Sequence, residues 1–375
     1  MDPREQSPVS VLHVDTERGW RGGQRQVLWL VEALMRSGHH CIIAARPGEP
    51  LALRAAERGI RVVPCSPRWE FDGLAIAQLS RFVRRERIQV VHAHTAHAAS
   101  IALFCGRNAK LVITRRVDFT LQPNWLSRLK YRRAAAIIAI SEAVAEALAA
   151  SEVDPARIEV IPSGVDLSRP LPRPDGETVR RLGIPEGAPL VVMVAALAEH
   201  KDPATFVSAM KTVVDAIPSA HALLIGEGPL RSVVERSIEQ LGLANNVHLA
   251  GYRPDVDALM ATADVVVLSS RQEGLGTVLI DALWMGKAVA ATRAGGIPEI
   301  VEDGKCGLLS PPEDAAALGR SIIRLLGDSA LRARFGAAGR ARAEMFSIER
   351  TASCTALVYQ RVAPVAAYLR NRSAS

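Results

Sequence analysis

The sequence predicts an α/β protein made of two doubly wound domains, each a parallel sheet covered by helices. Short apolar runs alternate with amphipathic segments from end to end, which is the pattern of strands and helices in such sheets. The alternation breaks once, in a stretch rich in proline and glycine, and then starts again. A chain of 375 residues is long enough for two hydrophobic cores. We expect the two domains to face each other across a cleft.

Each domain is predicted from its own series of apolar runs. Those of the first half are VSVLHVD, HHCIIAA, IRVVPC, QVVHAH, AKLVIT and AAAIIAIS. Those of the second half are PLVVMVAAL, AHALLIG, NVHLAG, ADVVVLSS, KAVAAT and CGLLS, and the segment PSGVDLSRPLPRPDG separates the two series. We therefore predict a first domain over 1–165, a linker over 166–188 and a second domain over 189–345. A C-terminal helix over 346–375 is expected to cross back onto the first domain.

Charge and composition limit the partners of the protein. The formal net charge is +7, and residues 1–168 hold most of the excess, with 23 Lys and Arg against 17 Asp and Glu. Such a basic half suits an anionic membrane surface or a phosphorylated acceptor, although exposed arginines often contact only water. Aromatic residues are 4% of the chain and do not alternate with the basic ones, so nucleic acid is not an expected partner.

Cysteine use and hydropathy point to the cytoplasm. The five cysteines are far apart and form no C-x-x-C pair, so neither a disulfide framework nor a zinc site is expected. The longest apolar stretch, over about 187–198, is shorter than the ~20 residues that cross a bilayer, and the N-terminus lacks the apolar core of a signal peptide. We predict a cytoplasmic protein, with peripheral association at the inner face of the cytoplasmic membrane as a further expectation.

The segment from Ser269 to Asp314 carries the clearest chemistry. Gly274 and Gly276 allow a tight turn at a helix start. The free N–H groups of Leu275, Gly276 and Thr277, with the positive end of the helix dipole, would then receive a diphosphate. Glu273 and Asp281 are eight residues apart, which is ~12 Å along a helix and fits the two ends of a nucleotide sugar. Alternatively, the two acids are an ordinary helix-start glutamate and a solvated aspartate.

With its flanking motifs GGIPEI and GLLSPP, this segment resembles the donor-binding block of the retaining family 4 glycosyltransferases. The resemblance extends from about residue 11 to residue 346. It implies two Rossmann-like domains in the architecture called GT-B, a nucleotide-sugar donor, an acceptor hydroxyl and retention of the anomeric configuration. No cofactor is expected, since the nucleotide sugar is itself a substrate, and no divalent metal is expected either, because the Asp255-x-Asp257 pair is interpreted below as a helix start. Glu273 would bind the transferred sugar, and Asp281, where the family usually has Glu, would bind the ribose.

The resemblance also assigns residues around the donor. Lys201, in MVAALAEHKDPATF, holds the place of a family lysine that neutralises the diphosphate, whereas Ala196 stands where the family has an arginine. Which cation replaces that arginine is left open. Tyr252 and Arg253 follow the strand NVHLAG and would flank the nucleobase.

In the first domain, Gly22 and Gly23 follow the first strand and precede a helix, where family members approach the donor phosphate and the acceptor. Arg116, in LVITRRVDF, takes the place of a family histidine. With Arg115 it would contact donor phosphate or an anionic acceptor, and His94 would lie on the acceptor side. In the front-face mechanism usually proposed for the family, Lys201, Arg116 and the helix start would stabilise the leaving phosphate.

Other functions are weighed against this one. Asp255 and Asp257 form an Asp-x-Asp pair of the kind that binds metal, but they lie at a predicted helix start, where they would cap backbone N–H groups. His92 and His94 share one strand face, but no third metal ligand follows at a convincing spacing. A nucleotide-sugar epimerase and a catalytically silent sugar-nucleotide binding module stay open as alternatives. The expected acceptor is a cell-envelope glycan or glycolipid, such as a lipopolysaccharide core.

Overall fold

The computed structural model describes residues 7–105, 109–121 and 125–363 and divides into two compact units. The first unit contains residues up to Asp166 together with those from Ser347 onward, and the second spans Leu167–Phe346. The last described helix thus belongs to the first unit. Of the segment predicted to cross back, residues 364–375 lie outside the described residues. Most of the segment predicted as a linker belongs to the second unit.

Each unit is built on one parallel sheet. Within the described residues, the first sheet has seven strands in the order β3-β2-β1-β4-β5-β6-β7, and the second has six in the order β10-β9-β8-β11-β12-β13. The strands of the first sheet are β1 (Ser10–Val14), β2 (His40–Ala45), β3 (Val62–Pro64), β4 (Val90–Ala93), β5 (Lys110–Arg115), β6 (Ala136–Ala139) and β7 (Ile158–Val160). Those of the second are β8 (Leu190–Val194), β9 (His221–Ile225), β10 (Val247–Gly251), β11 (Val265–Leu268), β12 (Ala288–Thr292) and β13 (Gly307–Ser310).

Helices connect these strands. They are α1 (Gly22–Arg36), α2 (Pro50–Glu57), α3 (Gly73–Arg85), α4 (Ala96–Ala102), α5 (Trp125–Arg133), α6 (Glu142–Ala149), α7 (Gly176–Arg181), α8 (Pro203–Ala216), α9 (Arg231–Gln240), α10 (Val256–Ala261), α11 (Thr277–Trp284), α12 (Ile297–Ile300), α13 (Ala315–Gly327), α14 (Ser329–Ala343) and α15 (Ile348–Val362). Ser141 accepts a hydrogen bond from Val144 N at 3.1 Å, so it caps the start of α6.

The strand order reverses once in each sheet. β1 pairs with both β2 and β4, and β8 pairs with both β9 and β11. The central strands β4, β8 and β11 are almost wholly buried, which agrees with their mostly apolar sequences VVHA, LVVMV and VVVL. In sheets of this kind, ligands bind beyond the carboxyl ends of the strands where the order reverses. The loops after β1, β4, β8 and β11 therefore lie where the chemistry is expected.

Helix α15 is attached closely to the first unit. Tyr359 is fully buried, and Ile348 N donates to Val165 O at 2.9 Å. Thr351 Oγ1 donates to Pro162 O at 2.8 Å. Gly164 faces the start of α15 so closely that a Cβ there would overlap Ser347 O, which explains why glycine occupies this position. The sheet and α15 thus form one folded unit despite their separation in sequence.

All five cysteines are unpaired, and four of them are buried. Burial raises the pKa of Cys41 and Cys105 to about 12, so these thiols stay protonated at neutral pH. Among the described residues, none of the helices combines the length and the apolar character that crossing a bilayer requires.

Candidate active site

Lys201 and Glu273 meet where the strand order of the second sheet reverses. Lys201 follows β8 in a short 3-10 helix, and Glu273 follows β11 in the next loop. Lys201 Nζ forms an ion pair with Glu273 Oε2, and Ser270 Oγ donates to the same oxygen at 3.0 Å. The two side chains are 20% and 11% exposed, so both remain within reach of a ligand. The two residues that the sequence assigned to the diphosphate and the sugar are thus brought together.

Hydrogen bonds fix the two loops against each other. Ser269 Oγ donates to the carbonyl oxygens of Lys201 and Asp202 at 3.1 and 2.9 Å, and Arg271 N donates to His200 O at 2.9 Å. Asp202 starts α8 by accepting a bond from Thr205 N at 3.2 Å. These contacts hold the Lys201 backbone in place before any substrate arrives, which is what electrostatic stabilisation of a leaving group requires.

Helix α11 begins later than the sequence suggested. Its first residue is Thr277, and Gly276 precedes it with a φ of 86°. A Cβ at Gly276 would also come within 3.4 Å of the Glu273 side chain. Because α11 begins at Thr277 and Leu279 N already donates to Gly276 O at 2.8 Å, the free N–H groups of the helix start are those of Thr277 and Val278, and Leu275 is buried in the preceding loop. The predicted helical rise of ~12 Å between Glu273 and Asp281 is therefore wrong. Of that interval only the part from Thr277 to Asp281 is helical, and it rises ~6 Å.

Asp281 is held by an arginine that sequence reasoning missed. Its side chain is 1% exposed and forms an ion pair with Arg169 Nη2. The other end of the same guanidinium contacts Asp257 Oδ2 at 2.7 Å, and its carbon lies 4.3 Å from the centre of the Trp284 ring. Arg169 lies in the proline-rich segment read as a linker, where no periodic pattern marks a side chain as buried. The predicted contact of Asp281 with a ribose stays a prediction, and the buried carboxylate already has a cation beside it.

The loop after β10 carries the residues predicted to flank the nucleobase. Tyr252 is exposed, while Arg253 donates to both oxygens of Asp255 at 2.8 and 2.6 Å. The hydrogen bond from Arg253 lowers the pKa of Asp255. Because this pair forms, the Asp255 side chain makes no capping bond to α10, and the predicted cap is wrong. Each acid of the Asp-x-Asp pair thus faces an arginine, and the expectation that no metal binds there stays a prediction.

In the first unit, Arg116 lies beside the start of α1. Helix α1 begins at Gly22, so Gly22 and Gly23 form its first turn and do not precede it. A Cβ at Gly23 would lie 3.9 Å from Arg116 Cδ, and Arg116 Nη1 donates to Ser163 Oγ at 2.9 Å. Burial lowers the pKa of Arg116 to about 10, and the nearby Asp15 carboxylate opposes that change, so the guanidinium is charged at neutral pH.

Asp15 is a second residue that the sequence did not single out. It follows β1, is buried, and accepts bonds from Glu17 N at 3.0 Å and Gln24 Nε2 at 3.3 Å. Burial raises its pKa, while these bonds and the Arg116 charge lower it. Asp15 could have been found as the first acidic residue beyond the first strand.

The other two residues predicted for the acceptor side, Arg115 and His94, form hydrogen bonds within the protein. Arg115 donates to the carbonyl oxygens of Val117 and Phe119 at 3.1 and 2.8 Å, so it shapes the loop that follows β5. His94 is buried behind its loop, with Nε2 3.0 Å from His13 Nδ1. Their contacts with an acceptor, like that of Arg116, stay predictions.

Three buried histidines lie together beneath this region. The possible ligand atoms of His13, His92 and His94 all lie within 4.8 Å of one another. Sequence spacing offered no third ligand beside His92 and His94, but β1 pairs with β4 and brings His13 next to His92 in space. Both nitrogens of His92 are engaged, however, by Tyr359 Oη and Thr114 Oγ1 at 2.6 Å each. A three-histidine metal site would have to break one of these bonds, so we interpret the cluster as a network that anchors α15.

This network predicts an acid-sensitive fold. Burial lowers the pKa of His13 to about 3, and those of His92 and His94 fall well below their usual range. Below pH ~6.5 the unfolded chain therefore binds protons that the folded chain does not, and the unfolding free energy falls by ~1.4 kcal/mol per pH unit for each histidine. For His13 this loss ends near pH 3. The measurement is the free energy of unfolding in urea at several pH values between 7 and 5. In His13→Gln we expect its slope against pH to be smaller than in wild type by the contribution of one histidine, ~1.4 kcal/mol per pH unit.

His40→Gln is the matched control, since His40 is exposed at the start of β2 and should leave the slope unchanged. An unaltered slope in His13→Gln would mean that His13 is not buried in its neutral form.

Family models match both halves of the chain. Residues 20–169 match the model described as Glycosyltransferase Family 4, and residues 175–342 match the model described as Glycosyl transferases group 1. The chain belongs to this glycosyltransferase family. The family resemblance predicted from the donor-binding block is thereby confirmed.

Relatives and a solved structure agree with this assignment. The glycosyltransferase is 29% identical over 299 residues to a 2-deoxystreptamine glucosyltransferase of Streptomyces kanamyceticus, covering 78% of this chain and 76% of that protein. It is 31% identical over 159 residues to the lipopolysaccharide core biosynthesis glycosyltransferase LpsE of Rhizobium meliloti, covering 42% and 46%. The crystal structure of Anabaena HepE in complex with UDP-glucose matches with a TM-score of 0.79 at 21% identity, over 96% of this chain and 99% of that one. The predicted fold of two Rossmann-like units of the GT-B type is confirmed.

Proposed function

We propose that this glycosyltransferase moves a sugar from a nucleoside-diphosphate donor to an acceptor hydroxyl, with retention of configuration and without a metal. The observation that supports this most directly is the Lys201–Glu273 pair beside the first turn of α11. The cation and the free N–H groups suit the negative charge of a diphosphate, and the carboxylate beside them can accept hydrogen bonds from sugar hydroxyls. HepE has been solved with UDP-glucose, which favours a donor of the same class here.

In this proposal the donor changes the partner of each member of the pair. The ammonium group of Lys201 turns to the diphosphate, and the Glu273 carboxylate then accepts hydrogen bonds from the hydroxyls of the transferred sugar. The N–H groups of Thr277 and Val278 bind a phosphate oxygen at the helix start. Asp281 and the loop of Tyr252 and Arg253 serve the nucleoside.

The proposed step is a front-face displacement. The bond between the anomeric carbon and the phosphate oxygen breaks, and the acceptor oxygen bonds to the same carbon from the same side. The departing phosphate oxygen takes the proton of the acceptor hydroxyl. Negative charge therefore grows on the leaving group, and Lys201 and the α11 start lower the barrier by stabilising it. We propose that Arg116 supports the same charge or binds an anionic acceptor.

For the acceptor we propose a cell-envelope glycan or glycolipid. The lipopolysaccharide-core relative supports this class, and a lipid-linked acceptor would place the enzyme in the cytoplasm at the inner face of the membrane. The 2-deoxystreptamine relative favours a small soluble acceptor as the second candidate.

The proposal is tested with purified protein and a panel of UDP-sugars and GDP-sugars. We expect one donor to raise the melting temperature and to release nucleoside diphosphate slowly, since water can replace the acceptor. The product sugar should keep the anomeric configuration of the donor by NMR, and EDTA should not change the rate. Interconversion of donor sugars without release would indicate an epimerase. A melting shift without either reaction would indicate a silent binding module, and an inverted product would contradict the front-face step.

A further inference from the structure

Large apolar side chains are exposed on one side of the first unit. Among the described residues, those at least 70% exposed are Trp69, Leu74 and Trp125, at 72%, 78% and 70%. Phe104, at 42%, lies in the same part of the chain. Single exposed apolar residues are common on any protein, but two tryptophans and a leucine this exposed are not explained by folding.

Contacts between neighbouring elements join these residues into one surface. The Phe71 and Phe104 rings pack edge to face with their centres 6.1 Å apart, and Ser80 Oγ of α3 donates to Phe104 O at 3.1 Å. The Trp69 carbonyl oxygen lies 2.9 Å from His97 Nε2 of α4.

Helix α5 is tied to the same surface. Glu70 accepts a bond from Ser100 Oγ of α4 at 2.8 Å and from Lys130 Nζ of α5 at 3.1 Å. Trp125 is the first residue of α5, ~7.5 Å along the helix from Lys130. We call Trp69, Phe71, Leu74, Phe104 and Trp125 the aromatic face.

The chain around the aromatic face is strongly basic. Residues 68–133 contain thirteen Lys and Arg against four Asp and Glu, an excess of nine, whereas the whole chain has a net charge of +7. Arginines of α3 and α5 and of the loop before α3 are exposed: Arg68, Arg81, Arg84, Arg128, Arg132 and Arg133. Six exposed arginines thus lie on the elements that carry the most exposed apolar side chains, or in the loop before them.

We propose that the aromatic face docks on an anionic lipid bilayer. Tryptophan favours the headgroup level, where its ring is partly apolar and its N–H still reaches water. Leu74 would insert among the acyl chains beside it, and the surrounding arginines would contact lipid phosphates. The face contains none of the residues placed in the transfer reaction. The inference therefore does not depend on the proposed function, although it would bring a lipid-linked acceptor to the enzyme.

The test is sedimentation of the full chain with vesicles. Wild type should bind vesicles of phosphatidylglycerol and phosphatidylcholine about tenfold better than phosphatidylcholine alone, and this advantage should fall at high salt. The double variant Trp69→Ser, Leu74→Ser should lose most of that binding. Leu53→Ser is the matched control, because Leu53 is exposed on α2 of the same unit, away from the aromatic face. Tryptophan fluorescence of the wild type should shift to the blue on binding.

Further measurements separate the outcomes. Nucleoside diphosphate release and the melting temperature should be unchanged in the double variant, which shows that it is folded. Equal vesicle binding by wild type and the double variant would overturn the proposal, as would a failure of wild type to bind. A wild-type dimer that the double variant dissociates would show that the face pairs two copies of the chain instead. If the wild type binds RNA through this face and does not sediment with vesicles, the face is a nucleic-acid surface and the proposal is overturned.

Discussion

Lys201→Ala is expected to lower the rate of nucleoside diphosphate release by about 100-fold or more, the usual effect of removing one preorganised stabilising group from a transition state. Lys201 belongs to a loop fixed by Ser269, and its ammonium group lies where the leaving phosphate is proposed to bind. Substrate binding should weaken less than turnover, because the charge on the leaving group is greatest in the transition state. The measurement is kcat and KM for the donor identified in the nucleotide-sugar panel.

A control must separate an effect of Lys201→Ala on catalysis from an effect on stability. Without the lysine, Glu273 is left in a mostly buried position, and the fold itself could lose stability. The double variant Lys201→Ala, Glu273→Gln removes that mostly buried charge, so stability should recover while turnover stays low. Lys211→Ala is the matched control, since Lys211 pairs with Asp215 on the exposed face of α8. Turnover within twofold of wild type in Lys201→Ala would remove the lysine from the mechanism.

Arg169→Met is expected to destabilise the second unit by about 3–5 kcal/mol, the usual result of removing one partner from a buried ion pair. Methionine keeps much of the length of the side chain and its contact with Trp284. The decrease in the free energy of unfolding should therefore come mainly from removal of the positive charge. Asp281 would be left buried without its cation. The measurement is the free energy of unfolding from urea denaturation, with nucleotide affinity measured in parallel.

A second variant tests the physical cause. In Arg169→Met, Asp281→Asn the buried negative charge is absent, and most of the lost stability should return. Arg173→Met, at an exposed position of the same proline-rich segment, should have little effect. Wild-type stability in the single variant would mean that Asp281 finds another partner, and the assigned role of Arg169 would then be wrong.

Sequence patterns predicted the parts of this molecule that depend on local order. Alternating apolar runs predicted every strand of both sheets except the short edge strand β7, and the Gly-containing segment predicted a loop that carries Glu273 into a helix. One error is local: Asp255 was expected to cap α10, but Arg253, two residues before it, engages its side chain. The other two arise where a distant residue intervenes. The third buried histidine was missed because His13 meets His94 across 81 positions of sequence. Arg169 was missed because nothing in a proline-rich stretch shows that a guanidinium will lie between two carboxylates.

The return of α15 to the first unit has a consequence for biosynthesis. The ribosome makes the first sheet early, but the Tyr359 side chain that fills its interior against His92 emerges only after all of the second unit. The second unit is continuous in sequence and can fold as soon as it leaves the exit tunnel. The unit that is translated first is therefore completed last. The surface of its sheet that Tyr359 covers stays unpacked until α15 has been synthesised.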